Sequence, residues 1–432
     1  CIPYQQWWDE LASVRWRPEL LMIATRLRQK NAGQTPSEWT LGIQTTAVSQ
    51  SFGMNLQNGT GFSVSIDWGD GSAAEVFSTT GIKTHTYSAI GAYSIRMTCT
   101  GLCNMAVAST NPGLVVSTSA IPPAFSTGGG TPFSSTFLQC ANLASVPEDV
   151  FWYTGTAITS NSFNQTFKGC TSLNNISARL FEKAISASST AFTSTFEQCT
   201  GLTSIPADLF RYNIGLTTQA FQSAFQQCTG LTSIPEDLFR YNIGLSTLAF
   251  ISTFRNCTAL TSIPADLFRY NTGLTSQPFS NTFFGCASLT SIPTDLFRYN
   301  AGITTSAFSS TFRDCTGLTT ISVDLFRYNA GITTSAFSAT FMGCTGLSGY
   351  AVQSDLLRYN TLMSGTSTAS SMFSGVALNT VAYSNLLISL NTYLTASSLG
   401  FGGGLSKYDT SATTARAALV ARSWSIVDGG AA

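Results

Sequence analysis

The sequence predicts a multidomain α+β chain: N-terminal helices, a small β-sandwich, a long solenoid of 29-residue period and a C-terminal α/β cap. Three observations carry this. "CTGLTSIPADLFRYN", beginning at Cys199, returns with few changes at Cys228, Cys257, Cys286 and Cys315. Residues 62–98 alternate apolar and polar side chains between Gly and Asp turns, the pattern of half-buried antiparallel strands. Residues 1–34 gather Trp7, Trp8 and Trp16 with five basic residues in two helical stretches divided by Pro18.

Composition narrows the function before any motif does. Of 432 residues only 10% are charged, and 21 basic side chains balance 21 acidic ones. No basic patch or stripe marks a nucleic-acid partner. Ser, Thr, Gly, Asn and Gln supply the polarity instead, which suits extracellular and virion surfaces. A single histidine, His85, rules against Ser–His–Asp and Cys–His catalysis and against His-rich metal sites. Paired carboxylates still allow catalysis without histidine, but no nucleophile–base pair, phosphate loop or metal constellation emerges. The expectation is a non-enzyme without a cofactor.

Taken in order, the first element is 1–34. Leu20 and Leu21, with Ile23, Ala24 and Leu27, give its second stretch an apolar face. An aromatic helix with no domain of its own wants a partner; docking on a virion or a neighbouring copy is the preferred reading, with a membrane interface or the sandwich as alternatives. Cys1 opens two further readings, a lipidated terminus or a trimmed end.

The sandwich spans 35–103. Asp67 and Asp70, in "DWGDGS", read as carboxylates that satisfy their own turn, and His85 as a packing residue. Cys99 and Cys103 are close enough in sequence to pair. Residues 104–132 read as a linker.

The repeats span 133–376. Their cysteines, from Cys140 to Cys344, are separated by one interval of 30 residues and then by intervals of 29. Within a unit Phe221, Phe225 and Cys228 stand at i, i+4 and i+7, which predicts a helix. "LTSIP" predicts a short strand stopped by Pro235, and 237–242 one more helical turn. Such a unit cannot bury its apolar side alone, so neighbours must stack.

The recurring columns then acquire expected roles. Cys199, Cys228, Cys257, Cys286 and Cys315 read as small buried hydrophobes, with disulfides between stacked thiols left open. Asp208 with Arg211 and Asp237 with Arg240, and their equivalents, predict a ladder in which opposite charges interleave from turn to turn; a row of Ca²⁺ ligands is the alternative. Thr203 and Ser204, Thr232 and Ser233, Thr261 and Ser262, and Thr290 and Ser291 should form an outward hydroxyl face that could meet a glycan or another flat polar surface. The Tyr212–Tyr328 column is a second candidate stripe, since aromatics stack on sugars. The cap, 377–432, is expected to place helices at 381–391 and 411–422 and a strand at "SWSIV".

Two resemblances sharpen these expectations. "DWGDGS" followed by "HTYSAIGAYSI" resembles the PKD domain, an Ig-like sandwich of extracellular proteins. F-x-x-C-x-x-L-x-x-I-P resembles the BspA-like leucine-rich repeats of bacterial surface proteins and phage fibres, over more than half of the chain. The unit here is longer than is usual for that family, the extra residues falling around "YNTGLTTSA". The closing segment also resembles the end of such proteins. Together they imply a phage appendage of tail-fibre or head-fibre type: residues 1–34 attach it to other virion proteins, the repeats meet a host receptor or glycan, and several copies assemble. A bacterial surface adhesin and a purely structural spacer are the alternatives.

Overall fold

The computed structural model describes residues 37–57, 61–125, 131–152, 158–348, 352 and 354–432, all within one compact unit, Ser37–Ala432. The attachment candidates Trp7, Trp8, Trp16, Leu20 and Leu21 lie outside the described residues. The described chain is α+β, mostly strand and turn with two α-helices.

Eight strands come first: β1 (Glu38–Gln44), β2 (Gln50–Gln57), β3 (Ser63–Asp67), β4 (Glu75–Phe77), β5 (Gly81–Tyr87), β6 (Ala92–Thr100), β7 (Asn104–Thr110) and β8 (Val115–Thr118). They form two antiparallel sheets, ordered β4-β3-β6-β1-β8 and β5-β2-β7. Period-two alternation puts Trp39, Leu41 and Ile43 of β1, Val64 and Ile66 of β3, and Ile95 and Met97 of β6 in the core, with Phe52, Met54 and Leu56 of β2. The linker expected at 104–132 is corrected. β7 pairs with β2, β8 pairs with β1, and both belong to the sheets. The chain turns between β6 and β7 at Gly101 (φ 84°), where a Cβ would stand 2.7 Å from the Gly61 carbonyl oxygen. The sheets and the segment after them bond directly to the first repeat coil. Val107 N–H donates to Thr136 O and Ile121 N–H to Val150 O, while the Trp39 ring packs edge-on against Phe125 and Phe137.

The repeats hold no α-helix among their described residues, a second correction. The i, i+4, i+7 spacing comes from a ribbon of tandem turns. Gln219, Ser223 and Gln227 all have φ near +55 to +60°, so every fourth residue is left-handed, and the ribbon repeats at four residues where a helix repeats at 3.6. Its N–H groups alternate in use. Those of Ala224, Gln226 and Cys228 close turns onto Phe221, Ser223 and Phe225. Those of Phe221, Ser223, Phe225 and Gln227 cross to Ala249, Thr253 and their neighbours in the next coil at 2.7–3.1 Å. A helix spends all of these bonds internally. This ribbon spends half of them on holding coil to coil, which fixes the register.

The strand expected at "LTSIP" is extended but sparsely paired. Thr232 N–H reaches Thr203 O and Thr261 N–H reaches Thr232 O, one bond per coil. Among the described residues, parallel bridges in this region form only at Ser145–Asn175 and Ile321–Val352. Each involves a coil in which Ser177 or Ser322 stands where Pro206 stands in its neighbour. Proline has no N–H to donate, so it keeps this run from becoming a ladder.

The chain closes with α1 (Thr380–Tyr393), β9 (Gly400–Gly402), α2 (Thr413–Ala421) and β10 (Ser425–Val427). Asn379 caps α1, its side chain accepting from Val381 and Ala382 N–H. β9 takes the place of a further coil: Ala369 N–H donates to Gly400 O and Phe373 N–H to Gly402 O. β10 pairs parallel with β9.

Candidate functional site

Three columns of phenylalanine make the centre of the coils. One runs from Phe137 to Phe373, adjacent centroids 5.4–5.8 Å apart and planes within 14°. The others run from Phe133 to Phe337 and from Phe151 to Phe326. Most of these phenylalanines carry a side-chain donor three residues on, with Ala184, Ala224 and Val376 standing in its place after Phe181, Phe221 and Phe373, and one rule covers the donors of all three columns. The donor's own N–H closes a turn on the Phe carbonyl of its coil, and its side chain donates to the Phe carbonyl of the coil before.

The threonines from Thr166 to Thr340 do this at 2.8–2.9 Å. The thiols do it at 2.9–3.3 Å, Cys199 to Phe167, Cys228 to Phe196, Cys257 to Phe225, Cys286 to Phe254 and Cys315 to Phe283. The asparagines from Asn213 to Asn360 do it at 3.1–3.2 Å, their second Nδ2 hydrogen going to the Asn or Ala carbonyl of the coil before. The cysteines of this column are buried free thiols, and burial pushes them up, to about 12 for Cys170, Cys286 and Cys344. The column is therefore poorly suited to act as nucleophile or metal ligand. Sequence reasoning assigned Asn242 to a turn end; the F-x-x-N spacing, parallel to F-x-x-C, was the available signal.

The charged columns lie at the surface. Asp208 pairs with Arg211 and Asp237 with Arg240, and this i, i+3 pair recurs in six coils at 3.0–3.6 Å. The expected interleaving of charges between coils appears at Arg179 and Glu148, 3.4 Å apart, but is corrected at Asp208–Arg211 and Asp237–Arg240. Arg211 lies 5.3 Å from the Tyr241 ring centroid and Arg240 lies 5.0 Å from that of Tyr270, so tyrosine makes the link to the next coil. Each ring from Tyr241 to Tyr359 has a guanidinium from its own coil and one from the coil before within 6 Å. Cations already occupy those rings, which makes the tyrosine column a poor platform for sugars. Arg358 ends the series over Tyr393 of α1, at 4.5 Å. One coil inverts the pair: Arg179 stands at the Asp position and Glu182 at the Arg position, 2.6 Å apart.

Thr203, Ser204, Thr232, Ser233, Thr261, Ser262, Thr290 and Ser291 are all exposed and face outward between buried Leu and Ile. The Thr232 and Thr261 hydroxyls lean back onto the preceding carbonyl at 3.3 and 3.4 Å. The result is an uncharged hydroxyl strip.

In the sheets, Asp67 accepts from Gly69 N–H and Asp70 from Ser72 N–H. Asp70 also meets His85 Nε2 at 2.8 Å. The His85 ring stacks on Trp68, whose indole N–H donates to Glu75. Hydrogen bonds from the Ser72 side chain and from His85 hold the Asp70 carboxyl down at about 2. Cys99 and Cys103 are both free. Among the described residues no three His, Cys, Asp or Glu side chains converge to hold a metal ion.

Compared with family models, curated proteins and solved structures, the chain finds no match.

Proposed function

We propose that this chain is a phage virion appendage of tail-fibre or head-fibre type, in which a PKD-like sandwich leads into a solenoid of BspA-like leucine-rich repeats that displays a surface to the host. Residues 1–34 join it to other virion proteins, several copies assemble, and the repeats contact a receptor or glycan. The observation that carries this reading is the construction of the coils. Phe carbonyls doubly satisfied in three columns make a core that tolerates one register, while the outside is lined by hydroxyls and paired charges. A rigid, regularly stepped surface suits many weak contacts, whose sum over several copies gives avidity. The interior thiols are buried and the recurring Asp column is paired with arginine, so the chemistry favours binding over catalysis.

One observation favours the spacer reading. The hydroxyl strip and the Arg–Tyr edge are almost identical from coil to coil, and identical coils offer no unique epitope on those faces.

Density-gradient fractionation of producing cells, probed with antibody to residues 37–432, tests the proposal. Co-sedimentation with particles is expected. Recovery with cell envelopes would replace the appendage by the adhesin.

A further inference from the structure

We propose that the receptor-contacting surface of the repeats is the turn-ribbon face centred on Arg255, Phe284 and Arg313, and that it takes a folded protein presenting a carboxylate beside an apolar side chain. The claim rests on the display reading above and assigns it to one face.

Where the Thr–Ser strip and the Asp–Arg–Tyr edge repeat nearly unchanged, the residue after the second Phe of each coil changes in charge and shape. From Lys168 to Arg313 it runs Lys, Glu, Gln, Arg, Phe, Arg, with Leu138 before and Met342 after. A ligand that repeats at the coil step would need one group at every step. A column that changes at every step fits an aperiodic partner, and a folded protein surface is aperiodic.

Charge then locates the centre. At one end Lys168 and Glu197 satisfy each other at 3.0 Å, with Glu197 buried. Further along, the Arg255 guanidinium lies 4.5 Å from the Phe284 centroid, and the Arg313 guanidinium, from the coil beyond, lies 5.2 Å from it. Arg313 has Asp314 at 3.5 Å. Arg255 has no carboxylate partner among the described residues, and its Nε is a buried donor without an acceptor. Phe284 and Met342 are half-buried and stand on the same column. A cation over a ring, with no carboxylate of its own chain beside it among the described residues, fits a carboxylate from a partner. Arg, Phe and Met are also the side chains that protein interfaces concentrate at their cores.

The test titrates the full chain with three peptides, acetyl-DEFED-amide, acetyl-QQFQQ-amide and acetyl-KKFKK-amide, followed by saturation-transfer NMR. DEFED is expected to bind in preference to the other two. Arg255→Gln should weaken it about fivefold, the size of one charge-assisted contact at a partly exposed site. Thr232→Ala with Ser233→Ala, on the hydroxyl strip, should leave it unchanged. Arg255→Glu should move the preference toward KKFKK, a gain that a misfolded chain would not show. Equal binding of DEFED and KKFKK, an unaltered affinity in Arg255→Gln, or loss of binding in the hydroxyl-strip variant would each overturn the assignment. These measurements use the isolated chain, so their failure counts against this face alone. The gradient experiment separately decides the display reading.

Discussion

Asn271 carries the repeat's logic in one side chain. It is fully buried, and Nδ2 donates to Phe239 O and Asn242 O at 3.1 Å. Its Oδ1 has no partner, which sets a desolvation cost against the two bonds. The column therefore contributes register more than raw stability, because only in-register stacking brings the donors to those carbonyls. Asn271→Leu is expected to lower unfolding stability by about 1–2 kcal/mol, the loss of two donors offset by removal of the stranded oxygen. Asn271→Asp should cost more, since it points a carboxylate at two carbonyl oxygens. Chemical denaturation of the two variants checks this; an Asn271→Leu chain as stable as the parent would contradict it. In "FRYN" only the spacing from Phe, parallel to F-x-x-C, marks this role, because Arg, Tyr and Asn otherwise look alike as polar residues of a turn. Burial separates them, and burial depends on the coil before.

At the scale of the element, the coil sequence stated what repeats but misstated its local form. Phe221, Phe225 and Cys228 fit both a helical face and a four-residue turn ribbon. The left-handed residues that decide between them are Gln219, Ser223 and Gln227, none of them glycine. Sequence carries no mark for φ > 0 at Gln or Ser, because their preference for it is weak. The hydrogen bonds to the next coil hold them there. The same ribbon makes a constructive prediction. Ala224 occupies the position filled by Thr195 and Thr253 in its neighbours, so Phe192 O lacks the side-chain donor that Phe163 O and Phe221 O receive. Ala224→Thr should raise stability by about 0.5–1.5 kcal/mol, the net worth of one buried hydrogen bond. A destabilised variant would show that the site has no room for the hydroxyl. In the sheets, the alternation of 62–98 was legible, whereas β7 and β8 were not, because "NMAVAST" and "VVST" are short and find their partners far upstream in β2 and β1.

The sheet also sets an acid limit. The Asp70 carboxyl is held at about 2, below its ordinary value of 3.8, by hydrogen bonds from Ser72 and His85. A carboxyl depressed in the folded state stabilises the fold above its unfolded value and stops doing so as pH falls through the folded one. The contribution is thus fully present above about pH 4 and fades toward pH 2. Asp70→Asn should flatten the acid limb of an unfolding curve followed by the fluorescence of Trp68, which is buried beside His85. An unchanged acid limb would mean that the turn, not its charge, is what the sheets need.

At the scale of the molecule, 29-residue self-similarity predicted stacking directly, since a unit that exposes an apolar side must cover it with its neighbour. The cap was legible for the same reason. Val376 breaks the Cys column, the sequence turns irregular, and α1 and β9 close the last coil. The proposed binding face was less legible. Outward hydroxyls look suitable in the sequence, but the structure shows the Tyr rings already stacked with arginine and the changing column on another face.

In the appendage proposed above, the coils stand out from a particle with their surface free. Cryo-electron microscopy of the native particle, averaged around density for this chain, measures that directly. A stack of stepped coils projecting outward, its Arg255–Phe284–Arg313 face in solvent, is the expected result. Coils packed against neighbouring subunits, with that face covered in the particle, would contradict it.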